Sequence, residues 1–212
     1  NFPTEVIDLP SKGLVYPKDN PLSSGKVEIK YMTAKEEDIL TNSTYIQKGT
    51  VLDKLLESVI VSEINLDDLI VGDKNALLIA TRILGYGSEY EVNINGVSEV
   101  IDLSTLENKE FDESSIVNGQ NEFTFVLPHS KTTVTYKILT GADDRKIDRE
   151  LAGLKKLNKT SNPEISTRLK YILTSVNGSS ESKEIRDFVD NHLLARDSRA
   201  LREHIRDTQP DV

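Results

Sequence analysis

The spacing of the apolar residues changes twice along this 212-residue chain, which limits the folds open to it. Between about residues 34 and 85, apolar residues recur every three or four positions, as in helices buried along one face. From 90 to 136 they alternate with polar residues, as in half-buried strands, and from 142 the helical spacing returns. The pattern predicts an α+β fold: an N-terminal strand–helix unit with antiparallel hairpins, followed by a C-terminal helical unit.

Local signals place the helices of the N-terminal part. Thr33 and Glu36 have the spacing of a capping box, in which each side chain bonds the other's free backbone N–H, so a helix should start after Thr33 and end near Tyr45. A second helix is predicted for "GTVLDKLLESVI". In "GDKNALLIATRILGYG", Asp73 is placed to cap a third helix and Gly85 to end it.

Strands are predicted from alternation. The segment "KVEIKYM" (26–32) alternates apolar and charged residues. Asn95-Gly96 lies between two alternating runs, which is the strongest short signal for a hairpin. A second pair, "NEFTFVLP" and "TTVTYKIL", flanks "PHSK". The residues expected to face each other there are Phe123 and Phe125 with Val134 and Tyr136.

The charges suggest where the chain divides. Up to residue 141 there are 12 Lys and Arg against 22 Asp and Glu, whereas residues 142–207 hold 14 against 12. Such an asymmetry favours two units over one. We predict an opening segment at 1–25, which has neither helical nor strand spacing, then an α+β domain at 26–141 and a helical domain at 142–212. Asp197 is placed to cap the last helix of the helical domain.

Few side chains are suited to catalysis. The chain has no cysteine, which removes disulfides, thiolate nucleophiles and the usual structural zinc sites. The histidines, His129, His192 and His204, have no evident acid or base partner, and adjacent acids such as Asp67 and Asp68 point apart on a helix. We therefore predict no catalytic residues, no metal and no cofactor.

The overall charge and hydropathy also exclude two classes of partner. A net charge of −9 disfavours nonspecific binding to nucleic acid, whose affinity comes mainly from neutralised phosphates. No apolar run approaches the roughly 18 residues that a membrane-spanning helix needs. We expect the chain to bind neither nucleic acid nor a membrane.

Three arginines stand out. Arg82 is the only arginine up to residue 141 and precedes the "GYG" stop, so we predict a structural role, either capping helix carbonyls or bridging a carboxylate such as Asp73 or Glu89. Arg199 and Arg202 alternate with acids in the last predicted helix. Both a solvated helix with local ion pairs and a docking face for an acidic partner remain open for that helix.

Five strings, taken in order, resemble one known family. They are "LPSKGLVYP", "YMTAKEEDIL", "GTVLDKLLESVI", "DLIVGDKNALLIATRILGYGSEY" and "LARDSRALREHIRDTQPDV". Together they resemble the T4-like phage baseplate hub family of contractile tails, which includes hub proteins and hub-assembly proteins. The resemblance runs from about Leu9 to Val212 and is weaker between Asn93 and Leu139. Relatives often carry cysteine pairs that this chain lacks, so no metal is carried over. We expect both chain ends to be trimmed or disordered.

The resemblance implies a non-enzymatic protein that binds other phage tail or baseplate hub proteins in the host cytoplasm during assembly. It leaves open whether the protein stays in the virion tail baseplate as a hub subunit or leaves as an assembly factor, and whether it forms oligomers. Two alternatives from other classes also stay open: a cell-wall glycan hydrolase of the tail hub, and an interaction adaptor unrelated to phages.

In that family the opening segment resembles an extended arm, so the apolar residues of 1–25 are expected to contact a neighbour or the rim of their own domain. Exposed apolar and guanidinium groups dominate interface energetics when they are desolvated. The predicted partner-binding residues are Leu14, Val15 and Tyr16 of the arm and Arg199 and Arg202 of the last helix.

Overall fold

Helices and antiparallel strands occur in both parts of the chain, which confirms the predicted α+β class. The computed structural model describes residues 2–212. The chain forms two units: the first runs to Glu110 and takes in Pro210–Val212, and the second is Phe111–Gln209. None of the helices within residues 2–212 has the length and apolar character that crossing a membrane requires.

The first unit starts with a two-stranded sheet and continues with four helices. Strand β1 (Thr4–Asp8) pairs antiparallel with β2 (Lys26–Lys30). The helices are α1 (Ala34–Leu40), α2 (Ser43–Lys48), α3 (Val51–Val59) and α4 (Val71–Tyr86). A second hairpin, β3 (Glu89–Ile94) and β4 (Val97–Asp102), turns at Asn95-Gly96, both with positive φ, as predicted.

The capping box that starts α1 is confirmed, but its predicted end near Tyr45 is wrong. Glu36 accepts hydrogen bonds from the N–H and hydroxyl of Thr33 at 2.9 and 2.7 Å. The chain then leaves the helix at Thr41, and the Asn42 side chain accepts a bond from the Tyr45 N–H at 3.1 Å. A second cap therefore divides the predicted helix into α1 and α2.

The opening segment is not an extended arm. Residues 9–25 fold back between β1 and β2, closed by a hydrogen bond from the Leu9 N–H to the Gly25 carbonyl at 2.8 Å. Leu9 and Leu22 are 1 % and 0 % exposed, so the segment supplies part of the core. Gly13 has φ +77°, and a Cβ there would lie 2.4 Å from the Ser23 carbonyl oxygen, so glycine is required where the two chain segments meet.

The second unit has a three-stranded antiparallel sheet in the order β5-β6-β7, made of Phe123–Val126, Thr133–Tyr136 and Leu173–Val176. Phe123 lies opposite Tyr136 and Phe125 opposite Val134, which confirms the predicted pairing of these two segments. The helices are α5 (Gly141–Leu157), α6 (Glu164–Ile172), α7 (Ser182–Asn191) and α8 (Ala195–Thr208). The core contains Leu127, Val134, Tyr136, Leu169, Leu173, Val176, Ile185, Val189 and Leu201.

Strand β7 corrects two predictions. The predicted helical domain at 142–212 includes Val176, but this residue lies in a strand and pairs with Val134 across the sheet. Because β5 and β6 share this sheet with β7, they belong to the second unit, and the chain divides at Glu110/Phe111 instead of 141/142. Charge balance missed this boundary because it reports on exposed side chains and contains no information about strand pairing.

Candidate partner-binding surface

Val15 and Tyr16 are core residues, so their prediction as exposed anchors is wrong. They are 2 % and 4 % exposed, while Leu14 is half-buried. The Tyr16 hydroxyl donates to Asp73 Oδ2 at 2.6 Å and accepts from the Ile70 N–H at 3.1 Å. These two bonds attach the opening segment to the start of α4.

Asp73 holds the opening segment instead of capping its own helix. It is the third residue of α4 and 0 % exposed, and its carboxylate accepts bonds from the Ser11 N–H and hydroxyl at 3.0 and 2.6 Å as well as from Tyr16. Burial raises the pKa of Asp73, while the bonds from Ser11 and Tyr16 oppose that rise.

Asp197 has the same arrangement in the second unit. It is the third residue of α8, 0 % exposed, and accepts bonds from the N–H groups of His129 and Ser130 at 2.8 and 3.0 Å. Burial raises its pKa, but the interactions with His129 and Ser130 together more than offset this, so the pKa of Asp197 lies below its usual value. The predicted helix cap is therefore a link between α8 and the β5–β6 turn.

The buried acids share one helix position. Among residues 2–212 the buried carboxylates are Glu36, Asp73, Asp143 and Asp197, and each is the third residue of its helix. Free backbone N–H groups and the helix dipole favour a negative charge there. Asp143 accepts bonds from the N–H and hydroxyl of Thr140 at 3.0 and 3.1 Å, so all four carboxylates have structural contacts.

Arg82 has a structural contact of a different kind from the one predicted. Its guanidinium lies over the ring of Tyr86, 4.6 Å from the centroid, and over that of Tyr90 at 5.4 Å. A guanidinium over aromatic faces gains cation–π attraction. Because Tyr90 belongs to β3, this stack attaches the base of the β3–β4 hairpin to α4.

Arg199 and Arg202 lie on the surface of α8. Arg199 is 77 % exposed in its side chain and donates to Glu203 at 3.0 Å, one turn along the helix. Arg202 is exposed and donates to the Ser198 hydroxyl at 3.4 Å. The solvated helix with local ion pairs describes these contacts, and docking of an acidic partner stays a prediction.

The β3–β4 hairpin carries an uncovered apolar surface. Tyr90 lies opposite Ile101 and Ile94 opposite Val97, and directly opposed side chains share a face. Val92 lies on the same face because side chains alternate along a strand. The hairpin apolar face is Tyr90, Val92, Ile94, Val97 and Ile101, exposed by 41–60 % except for the half-buried Val92.

Such a face indicates a binding surface. A two-stranded hairpin on its own is marginally stable, and a contiguous exposed apolar patch commonly marks an interaction site. The sequence predicts this hairpin and its alternation, yet a sequence pattern does not show whether another element covers the apolar side. The candidate surface therefore emerges only in three dimensions.

No protein-family model, curated protein or solved structure matches the chain.

Proposed function

We propose that this chain is a non-enzymatic interaction protein that binds other tail proteins during assembly of a phage baseplate hub. The uncovered apolar face of the β3–β4 hairpin carries the proposal, because exposing four of its five apolar side chains is unfavourable unless a partner buries them. The five ordered strings support the hub family as the setting. The protein acts in the host cytoplasm during assembly, either as a future subunit of the virion baseplate or as an assembly factor.

Affinity purification during infection tests this function. The tagged chain is expressed in host cells infected with the phage that encodes it, and the co-purifying proteins are quantified by mass spectrometry against an unrelated tagged protein of equal abundance. We expect enrichment of hub or other tail proteins. Failure to enrich any tail protein over the control would contradict the proposal.

Quantifying the chain in purified particles separates the two roles. A few copies in each finished particle would identify a resident hub subunit. Abundance in the lysate together with loss from the particles would identify an assembly factor.

A further inference from the structure

The hairpin apolar face lies in a strongly acidic region. Residues 83–108 contain no Lys or Arg and five exposed carboxylates. These are Glu89, Glu91, Glu99, Asp102 and Glu107. The first unit as a whole has 10 Lys and Arg against 20 Asp and Glu. The Arg82 guanidinium lies over Tyr90, but the five carboxylates outnumber it, so a partner of this surface meets a net negative charge.

The carboxylates border the apolar side chains. Glu99 lies opposite Val92 on the apolar face itself, while Glu89 and Asp102 form an opposed pair on the reverse face. Their polar neighbours include hydroxyls: Glu91 accepts from Ser98 at 2.6 Å, and Asp102 accepts from Ser104 at 2.6 Å. Hydroxyl contacts of this kind leave the negative charge of the carboxylates uncompensated.

A second copy of the chain fits this surface poorly. In a two-fold contact the same patch occurs on both sides, so the acidic borders of the two hairpins would approach each other. Like charges brought together at an interface repel each other and suppress association. The charge pattern favours a partner of opposite sign.

We propose that the hairpin apolar face binds an apolar stripe flanked by Lys and Arg on a different protein, which, if the proposed function holds, is a tail protein. Burial of the five apolar side chains stabilises the complex, and the carboxylates steer and orient the basic partner. The Arg82 stack on Tyr86 and Tyr90 attaches the hairpin base to α4, which limits the hairpin's freedom before binding.

Strand β4 provides a matched pair of variants. Val97 and Val100 are 60 % and 66 % exposed but lie on opposite faces, Val97 on the apolar one. Because both side chains are already exposed in the free protein, Val97→Ser and Val100→Ser should fold alike. Only Val97→Ser removes part of the proposed interface.

The first experiment uses defined probes and is independent of phage infection. Two fluorescent peptides are compared by anisotropy, one alternating Val with Lys and the other alternating Val with Glu. We expect the Lys peptide to bind at least about tenfold more tightly at low salt, with the difference shrinking as salt is added. Val97→Ser should weaken its binding about tenfold, and Val100→Ser should leave it nearly unchanged.

Several results would overturn the proposal. Equal binding of the two peptides, no binding of the Lys peptide, or equal effects of the two serine variants would each do so. Sedimentation that showed a dimer abolished by Val97→Ser would assign the face to a second copy.

The infected-cell purification is then repeated with both variants. Tail proteins retained by Val100→Ser and lost from Val97→Ser support both proposals. Tail proteins retained by both variants leave the proposed function standing and contradict this surface. Lys-peptide binding with no tail protein recovered contradicts only the proposed function.

Discussion

Replacing Tyr16 by phenylalanine tests whether polar contacts hold the opening segment on the first unit. The ring keeps its place in the core, where Tyr16 is 4 % exposed, but the hydroxyl's bonds to Asp73 and to the Ile70 N–H are lost. A hydrogen bond to a charged group contributes about 1.5–3 kcal/mol, and leaving a buried donor without a partner costs about 1–3 kcal/mol. Since the two effects overlap, we expect the free energy of unfolding to fall by about 2–4 kcal/mol.

Urea unfolding followed by circular dichroism measures this loss, and hydrogen exchange across residues 9–25 locates it. Tyr31→Phe is the matched control, because the Tyr31 hydroxyl donates to Glu5 at 3.3 Å on the exposed surface. Its effect should stay within about 0.5 kcal/mol. If the two variants lose the same stability, or if exchange in residues 9–25 is unchanged by Tyr16→Phe, the reasoning is refuted.

The pH dependence of the stability of Tyr16→Phe gives a second test of the bond to Asp73. The bond from Tyr16 lowers the pKa of Asp73 and so opposes the rise caused by burial. Removing the hydroxyl should raise the pKa of Asp73 further, which destabilises the ionised form. The loss of stability should therefore be larger above the pKa of Asp73 than below the ordinary value of 3.8. An equal loss at both pH values would contradict a direct bond to the carboxylate.

Three further substitutions test the other contacts. Burial raises the pKa of Glu36, but bonds from Lys30 and other donors lower it to about 2. The stability that ionised Glu36 gives the folded state is therefore lost as pH falls from 4.5 toward 2. In Glu36→Gln the urea midpoint should vary less with pH across that range. Asp197→Asn should cost about 1–3 kcal/mol in urea unfolding and speed up amide exchange at Ser130. Gly72→Ala would place a Cβ 1.9 Å from the Pro210 carbonyl oxygen, so this substitution should lower the free energy of unfolding. The same substitution should have no such effect once Pro210–Val212 is removed.

The features that the sequence predicts well are determined by neighbouring residues. The Asn95-Gly96 turn and the Thr33 capping box each depend on side chains within three positions, and both occur where the pattern puts them. Strand β7 was missed because it follows α6 directly, and its apolar residues continue the helical spacing of that helix. Four residues are too few for periodicity to distinguish strand from helix.

The contacts that the sequence could not predict join distant segments. Asp73 accepts bonds from Ser11, 62 positions earlier, and Asp197 from the His129 N–H, 68 positions earlier. Nothing local distinguishes an acid that caps its helix from one that reaches a loop. The same limit applies to the hairpin apolar face, because its exposure depends on what the rest of the chain leaves uncovered.

The residue three positions before each buried acid determines whether that acid closes a local capping box. Thr33 and Thr140 precede Glu36 and Asp143, and each threonine forms a capping box with its acid.

Ile70 and Leu194 precede Asp73 and Asp197, and α4 and α8 have no side-chain cap bond. An apolar residue at that position has no hydroxyl to offer, so the carboxylate is left available for a distant loop. In this chain a buried acid that follows threonine closes a local box, and one that follows an aliphatic residue ties down a remote segment without such a box. Glu36 does both, because it also accepts a bond from the Ser58 hydroxyl, 22 positions later, at 2.9 Å. The β3–β4 hairpin is attached at its base through Arg82 and Tyr90 instead, and this attachment covers only the Tyr90 end of its apolar face and leaves the rest open to a partner.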